Sequence, residues 1–415
     1  MARYQGTGTL GPGKMPVTTM TDSYPGLQAG TFMIAAQERI VHGVPAGEAV
    51  LAEAVRLGAQ RVFLISGRSL GVLADGPVQR IARALGPRHA GSFAAVRAHS
   101  PREDVLAAAA AARECSADLL VGIGGGSAID AAKAVQVCFW HGLTTPHSFE
   151  PFHAGAPADV ARPITPPADA IRMLSVSTTL SAPDFTAMAG ITDSRTRAKQ
   201  MFAHRLMVPR TAILDPGATL HTPADLLFST AIRSVDHAVE CWCSPLATPA
   251  TEALSLQGLR LLAQALPAIL ADRHDLQARM TAQFGMWQAI AALAAGVQTG
   301  ASHGIGYALG AGFNVAHGHT SCVMLPAVLR WNAAVNAERQ RALSAAMGAP
   351  DQPAADLVAG LIRQLGQPGS LREVGVREDQ LDELAQRALV YPPVQANPRP
   401  IRSAADVREI LALAW

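Results

Sequence analysis

One stretch limits the folds open to this 415-residue chain. Asp118-Leu119-Leu120-Val121-Gly122-Ile123 is a short apolar run, the pattern of a parallel strand buried on both faces. Gly124, Gly125 and Gly126 follow at once, then Ser127 in the N-cap place. Ala128 to Val135 is Ala-rich and reads as a helix. A strand, a glycine turn and a helix bring backbone N–H groups and a positive helix end against a phosphate. A side chain larger than hydrogen would block that approach. A tight turn that merely packs a small-residue helix on a sheet shares the local pattern, so the neighbouring residues must decide.

They extend the stretch to Gly124-Gly125-Gly126-Ser127-Ala128-Ile129-Asp130-Ala131-Ala132-Lys133. This string resembles GGGSxxDxAK, the pyrophosphate-binding signature of the iron-dependent (group III) alcohol dehydrogenase family. It is not the G-x-G-x-x-G fingerprint, nor a phosphate loop, because no Gly-Lys-Ser/Thr follows. The resemblance runs from about Phe32 to the C-terminus. It implies an α/β, doubly wound dinucleotide-binding domain followed by an all-α domain, the dehydroquinate synthase-like fold. It also implies cofactor contacts from Gly124, Gly125, Gly126, Ser127, Asp130 and Lys133. A solvated Lys133 is the alternative.

Composition excludes other classes. Net charge is +2, with 16% charged and 49% hydrophobic residues, and there is no basic tract for nucleic acid. No apolar run reads as a membrane span. Residues 1–30 are expected to be a flexible extension, since Met1 to Gly26 is rich in Gly, Thr and Pro and has no apolar centre like that of a signal peptide. The five cysteines form no CxxC pair. A cytoplasmic, reducing setting is therefore expected.

The N-terminal half alternates strand and helix patterns, which predicts a parallel sheet over residues 31–215. Phe32 to Val41 reads as a strand or arm, Ala46 to Leu57 as a helix and Arg61 to Ser66 as a buried strand. Gly67-Arg68-Ser69-Leu70-Gly71 reads as a loop. By the resemblance it faces the adenosine ribose, where an acidic residue would repel a 2′-phosphate. Gly67 and Arg68 stand there instead, which favours NADP(H) being tolerated beside NAD(H). Pro77 to Leu85 and Arg102 to Ser116 read as helices, Phe93 to Val96 and Arg172 to Ser177 as strands, and His141 to Ala168 as a loop. Ala187 to Asp193 and Arg210 to Asp215 read as the strands that close the domain. Thr178 and Thr179 match the family threonines at the nicotinamide ribose and phosphates. The segment after them, Ser181-Ala182-Pro183-Asp184-Phe185, resembles the maleylacetate reductase branch more than the metal-dependent enzymes. Residues 216–415 are Ala/Leu-rich with few β-branched runs and read as all-helical, with the active site in the cleft between the halves.

Arg233, His237 and Glu240 fall on one helix face at i, i+4 and i+7. The family's metal-dependent members carry an Asp ligand at the place of Arg233 and His ligands at those of His237, His303 and His317. The last two stand fourteen residues apart here, as in the family. Three of four ligand places survive and the fourth is reversed in charge. A guanidinium is not a ligand, and it would repel a dication by roughly 6 kcal/mol at ~5 Å and an effective dielectric of ~20. No metal is expected, although His237, His303 and His317 could hold one. Asp236, a quarter-turn from His237, is expected to face elsewhere. Arg233 is suited to grip a carboxylate, or else to form a buried ion pair with Glu240 or Asp236. Tyr307, four residues after His303, is a proton donor or an aromatic of the core. His319 is a further cleft candidate.

The expectation is an NAD(P)H-dependent oxidoreductase, resembling maleylacetate reductase, that acts without metal on a small anionic unsaturated or carbonyl substrate. Arg233, His237, His303, Tyr307 and His317 line the site. A homodimer is implied by the resemblance, with no membrane or nucleic-acid partner. The alternatives are a metal-dependent alcohol dehydrogenase or aldehyde reductase, and a non-redox enzyme or binding protein on the same fold.

Overall fold

The structure is a computed structural model that describes residues 31–196 and 198–415. The expected N-terminal extension lies outside the described residues. The first half runs β1 (Arg39–His42), α1 (Ala46–Arg56), β2 (Val62–Gly67), α2 (Arg68–Gly71), α3 (Pro77–Leu85), β3 (His89–Val96), α4 (Arg102–Glu114), β4 (Leu119–Gly124) and α5 (Gly126–His141). It continues with β5 (Met173–Ser177), β6 (Met188–Asp193), β7 (Ala198–Ala203) and β8 (Thr211–Leu214). Six strands form one parallel sheet in the order β1-β8-β5-β4-β2-β3.

The strand residues explain the layering. Val62, Phe63, Leu64 and Ile65 are all buried. Val62 and Leu64 pack with Val50, Val78 and Ile81 of α1 and α3, while Phe63 and Ile65 pack with Val105, Ile129 and Val135 of α4 and α5. Each such side chain contributes about 1.5–3 kcal/mol by leaving water. Helices therefore cover both faces, as a parallel sheet requires. Small residues set the spacing of α5 from the sheet: a Cβ on Gly122 would lie 3.0 Å from Ala132 Cβ. β2 connects outward to β3, whereas β4 connects the opposite way to β5, so the sheet reverses direction between β2 and β4. Ligands of open parallel sheets bind at such a switch point, beyond the strands' carboxyl ends.

Several local expectations are corrected. Gly125, not Ser127, is the N-cap of α5, and it makes no side-chain cap. Gly67 ends β2, and Arg68 to Gly71 is a short helix rather than a loop. The opening strand is confined to Arg39–His42, and the 141–168 loop contains a 3-10 segment, Pro146–Phe152. β6 does not close the main sheet. It pairs antiparallel with β7, a strand the sequence pattern did not reveal.

The second half is helical: α6 (Ala224–Cys243), α7 (Pro249–Ala271), α8 (Leu276–Ala294), α9 (Ala301–Phe313), α10 (His317–Ala346), α11 (Ala354–Gln364), α12 (Leu381–Ala388), α13 (Pro392–Gln395) and α14 (Ala404–Leu413). By length and composition α7 could cross a membrane, contrary to the sequence expectation. Its Leu259, Leu262, Leu266 and Ile269 are buried in the cluster shared with α6 and α8, as in a core helix. Gly258 and Gly285 let α7 and α8 touch backbone to backbone: a Cβ on Gly258 would sit 2.7 Å from Ala289 N.

Candidate functional site

The glycine turn closes β4 at the switch point. Gly124 has φ +144°, which glycine adopts without strain. A Cβ on Gly125 would lie 2.8 Å from Thr179 Cγ2. Thr178 N donates to Gly124 O at 3.0 Å, so both threonines wall the turn. Ser127 Oγ accepts from His99 N at 3.0 Å, and Ser127 O from Ser100 Oγ at 2.8 Å, which pins the β3–α4 loop against the start of α5. Gly67 and the exposed Arg68 stand at the end of β2, on the other side of the crevice.

Lys133 and Asp130 are not placed for a phosphate. Lys133 is fully buried, and its Nζ donates to Pro183 O (2.6 Å), Met188 O (2.8 Å) and Thr186 Oγ1 (3.2 Å). Those three acceptors use all its ammonium protons. Burial lowers its pKa, against the opposing charges of Asp130 and Asp184. Asp130 Oδ2 accepts from Gly190 N at 3.1 Å. Lys133 is therefore neither a phosphate ligand nor solvated. With Asp130 it fastens α5 to the 183–190 segment.

That segment brings in a residue the sequence reading missed. Lys199 on β7 pairs with Thr192 on β6, and a Cβ on Gly190 would collide with Lys199 Cε. The exposed lysine thus crosses β6 at a glycine, and its charge is felt at His99 and His317. No motif in the sequence marks it.

The threonine wall leads to the helical half. Leu180 N donates to Thr230 Oγ1 at 3.2 Å, and Ser234 Oγ donates to Leu180 O at 2.5 Å. Arg233, beside Ser234 on α6, is thereby set next to the cofactor side. α9 and α10 complete the site. Gly306 faces Thr320, where a Cβ would come within 3.0 Å of Oγ1 and 3.9 Å of Arg233 Nη1. Gly318 lies against Ser229 of α6, with 2.6 Å to its Cβ from an added one.

Arg233 is buried and donates through Nη1 to Ser321 Oγ at 2.9 Å. Its Cζ stands 5.7 Å from the centroid of the Tyr307 ring. His237 and His303 stack with centroids 5.0 Å apart. His237 titrates well below its ordinary range, because of burial first and then the charges of His303 and Arg233. His317 is likewise pulled well below it, chiefly by the Arg233 charge. Lys199 and His99 act on His317 in the same direction, so the sheet half and α10 face each other here. Tyr307 is partly exposed, with its ring edge-on to His303 at 6.3 Å. His319 is drawn off to Asp225, 3.5 Å away.

Asp236 corrects the expectation that it faces elsewhere. It is completely buried, and its Oδ2 accepts from Ser321 Oγ at 2.6 Å and Ser302 Oγ at 2.8 Å. The same oxygen stands 3.3 Å from His303 Nδ1 and 3.9 Å from Arg233 Nη1. Glu240 bonds His303 Nδ1 at 2.8 Å and caps α9 by accepting from Gly300 N, Ser302 N and His303 N. Burial and the Arg233 charge oppose protonation of His303, but Asp236 and Glu240 outweigh them and raise its pKa.

These residues do not fit the metal centre that the family resemblance implies. A fixed cation stands where that centre needs an anion. Asp236, Glu240 and His303 present donor atoms within 4.8 Å of one another, but the carboxylates already accept five hydrogen bonds from serines and backbone. Glu240 serves there as a cap of α9, while Asp236 Oδ1 is buried without a hydrogen-bond partner.

A glycine turn at the switch point of a parallel sheet, facing a polar cleft on a helical half, is the layout of a two-part nucleotide-binding enzyme. Sequence comparison agrees. Residues 37–216 match the model for iron-containing alcohol dehydrogenase, and residues 228–415 that for the C-terminal part of the Fe-containing alcohol dehydrogenase family. The chain belongs to the iron-containing alcohol dehydrogenase family. It is 30% identical to Dehydrogenase FUM7 of Gibberella moniliformis, over 86% of this chain and 92% of that protein. It is 29% identical to Maleylacetate reductase 1 of Cupriavidus pinatubonensis, over 88% and 92%. The crystal structure of maleylacetate reductase from Agrobacterium tumefaciens superposes with a TM-score of 0.78 at 26% identity, covering 94% of this chain and 99% of that one.

Proposed function

We propose that this oxidoreductase transfers hydride from NADH or NADPH to a small anionic carbonyl or unsaturated acid, without a metal. The observation that carries the reading is the buried Arg233 guanidinium at the place of the family's anionic ligand. A guanidinium can pair with a carboxylate through two parallel N–H bonds, or steady a developing enolate or alkoxide. Among the described residues only one hydrogen bond of Arg233 is satisfied, so most of its fork remains for a substrate.

In this reading the turn at Gly124, Gly125 and Gly126, with Ser127, Thr178 and Thr179, holds the dinucleotide. The peptide N–H groups and the α5 N-terminus face its phosphates. Gly67 and Arg68 meet the adenosine ribose without a carboxylate, which suits both nucleotides. Lys199 adds a cation on the same side. A bound nicotinamide would supply the hydride; Arg233 would orient the acceptor, and Tyr307 or His303 would deliver the proton. His237 and His317 line the cleft as neutral imidazoles. The reading also includes a homodimer in the cytoplasm, following the family resemblance.

One observation favours the metal-dependent alternative. His237 Nδ1 and His303 Nε2 are buried without a hydrogen-bond partner, and both are nitrogens of the kind that zinc takes.

A panel of 2-oxo acids, unsaturated keto acids, aldehydes and primary alcohols, assayed with each nucleotide before and after chelator treatment, tests the proposal. Turnover confined to acids and indifferent to chelator supports it. Turnover of neutral aldehydes that vanishes with chelator overturns it. Tight nucleotide binding without any turnover points to the non-redox alternative.

A further inference from the structure

We propose that Asp236 and Ser321 are positioning residues: together they aim the Arg233 guanidinium at the substrate and prevent it from closing on itself as a structural ion pair. The inference rests on the reading of Arg233 given above.

The geometry of three side chains carries it. Arg233 and Asp236 stand one turn apart on α6, a spacing at which an arginine and an aspartate normally meet directly. Here they do not: the shortest separation is 3.9 Å. The Ser321 hydroxyl from α10 stands between them. It donates its single proton to Asp236 Oδ2 at 2.6 Å, so its lone pairs are turned to Arg233 Nη1, which donates to it at 2.9 Å. The order of donors is fixed by the aspartate, because a carboxylate can only accept. The guanidinium is therefore held by one N–H and left with the rest of its fork open.

Asp236 is itself immobilised. The same Oδ2 accepts from Ser302 Oγ of α9 at 2.8 Å and faces His303 Nδ1 at 3.3 Å. One oxygen thus joins α6, α9 and α10, the three helices that form the site. A purely structural Arg–Asp pair would be bidentate and would need no serine. A serine that keeps the pair apart preserves the binding capacity of the arginine while screening its burial.

Calorimetric titration of malonate and of its neutral counterpart malonamide into NADH-saturated enzyme tests this. Wild type, S321A, S321T and D236A are compared, with NADH affinity and thermal melting measured for each. Wild type is expected to bind malonate at least about tenfold more tightly than malonamide, the scale of a charge-assisted hydrogen bond. S321A and D236A are expected to lose about tenfold in malonate affinity with malonamide and NADH binding unchanged. S321T, which keeps the hydroxyl, is expected to bind malonate like wild type. Retention of full malonate affinity in S321A overturns the proposal, and so does an equal loss in S321A and S321T, which would mark packing rather than the hydroxyl. Should D236A fail to fold, S321A and S321T decide alone. A wild type that does not separate malonate from malonamide contradicts the Arg233 reading itself, whatever the variants do.

Discussion

The two halves of the cleft were built under different rules. On the sheet side, the proposed recognition is by backbone: a glycine turn, a helix end and two threonines, where the chief requirement is that nothing protrudes. On the helical side it comes from side chains of α6, α9 and α10, whose charges must balance in a buried space. A backbone site tolerates little variation, because a Cβ on Gly124 or Gly125 would come within 3 Å of Ala128 or Thr179. A side-chain site can be rewired by exchanging charges, as Arg233 and Asp236 illustrate. On the proposed reading, one family architecture keeps its cofactor half while the charges of its chemical half are exchanged.

The variants that would break this contrast are ranked by expected effect. Arg233→Ala should lower kcat/KM for an acid substrate by about 10²–10⁴, since losing one partner of a buried charged contact costs about 3–5 kcal/mol. NADH affinity, measured by fluorescence titration, should stay within about twofold. Loss of nucleotide binding in that variant would show that the halves are not separable. Gly125→Val should do the reverse. Its branched side chain meets Thr179, 2.8 Å from an added Cβ, so NADH affinity should fall by about a hundredfold or more while the melting temperature moves by only a few degrees.

Glu240→Gln probes the electrostatics of the helical side. It keeps the shape but removes the charge that caps α9 and holds His303. Thermal or urea unfolding should show a loss of about 1–3 kcal/mol. Stability equal to wild type would mean that the cap, and not the charge, is what matters there. Arg68→Glu is the mildest change. It should weaken NADPH binding by about tenfold and leave NADH nearly unaffected, through repulsion of the 2′-phosphate. Equal effects on both nucleotides would move the adenosine ribose away from the end of β2.

What could be read from the sequence follows the same division. The glycine turn, the buried strand before it and the two threonines that wall it were legible because the pattern is local: consecutive residues build the turn and its wall. Lys133 and Asp130 were misjudged because a motif string does not say which side of α5 faces the cleft. They lie on the side turned to β6, where Met188 O and Gly190 N receive them. Lys199 was missed with β7, since its strand is short and its place over Gly190 follows only from the pairing of β6 with β7. On α6, Asp236 was weighed as an ion-pair partner for Arg233, but its 100° offset from His237 led to the expectation that it faces away from the site. Its face is polar only because α9 and α10 bring Ser302 and Ser321 to it. Contacts between distant helices cannot be deduced from the period of one of them.

The central claim is that the Arg233 guanidinium takes the place of a metal. Elemental analysis of active enzyme, purified without chelator and dialysed against metal-free buffer, tests it most directly. The account predicts zinc and iron far below one equivalent per chain, with full activity on an acid substrate. Close to one equivalent of either metal, removed by chelator together with the activity and restored by adding the metal back, would contradict it.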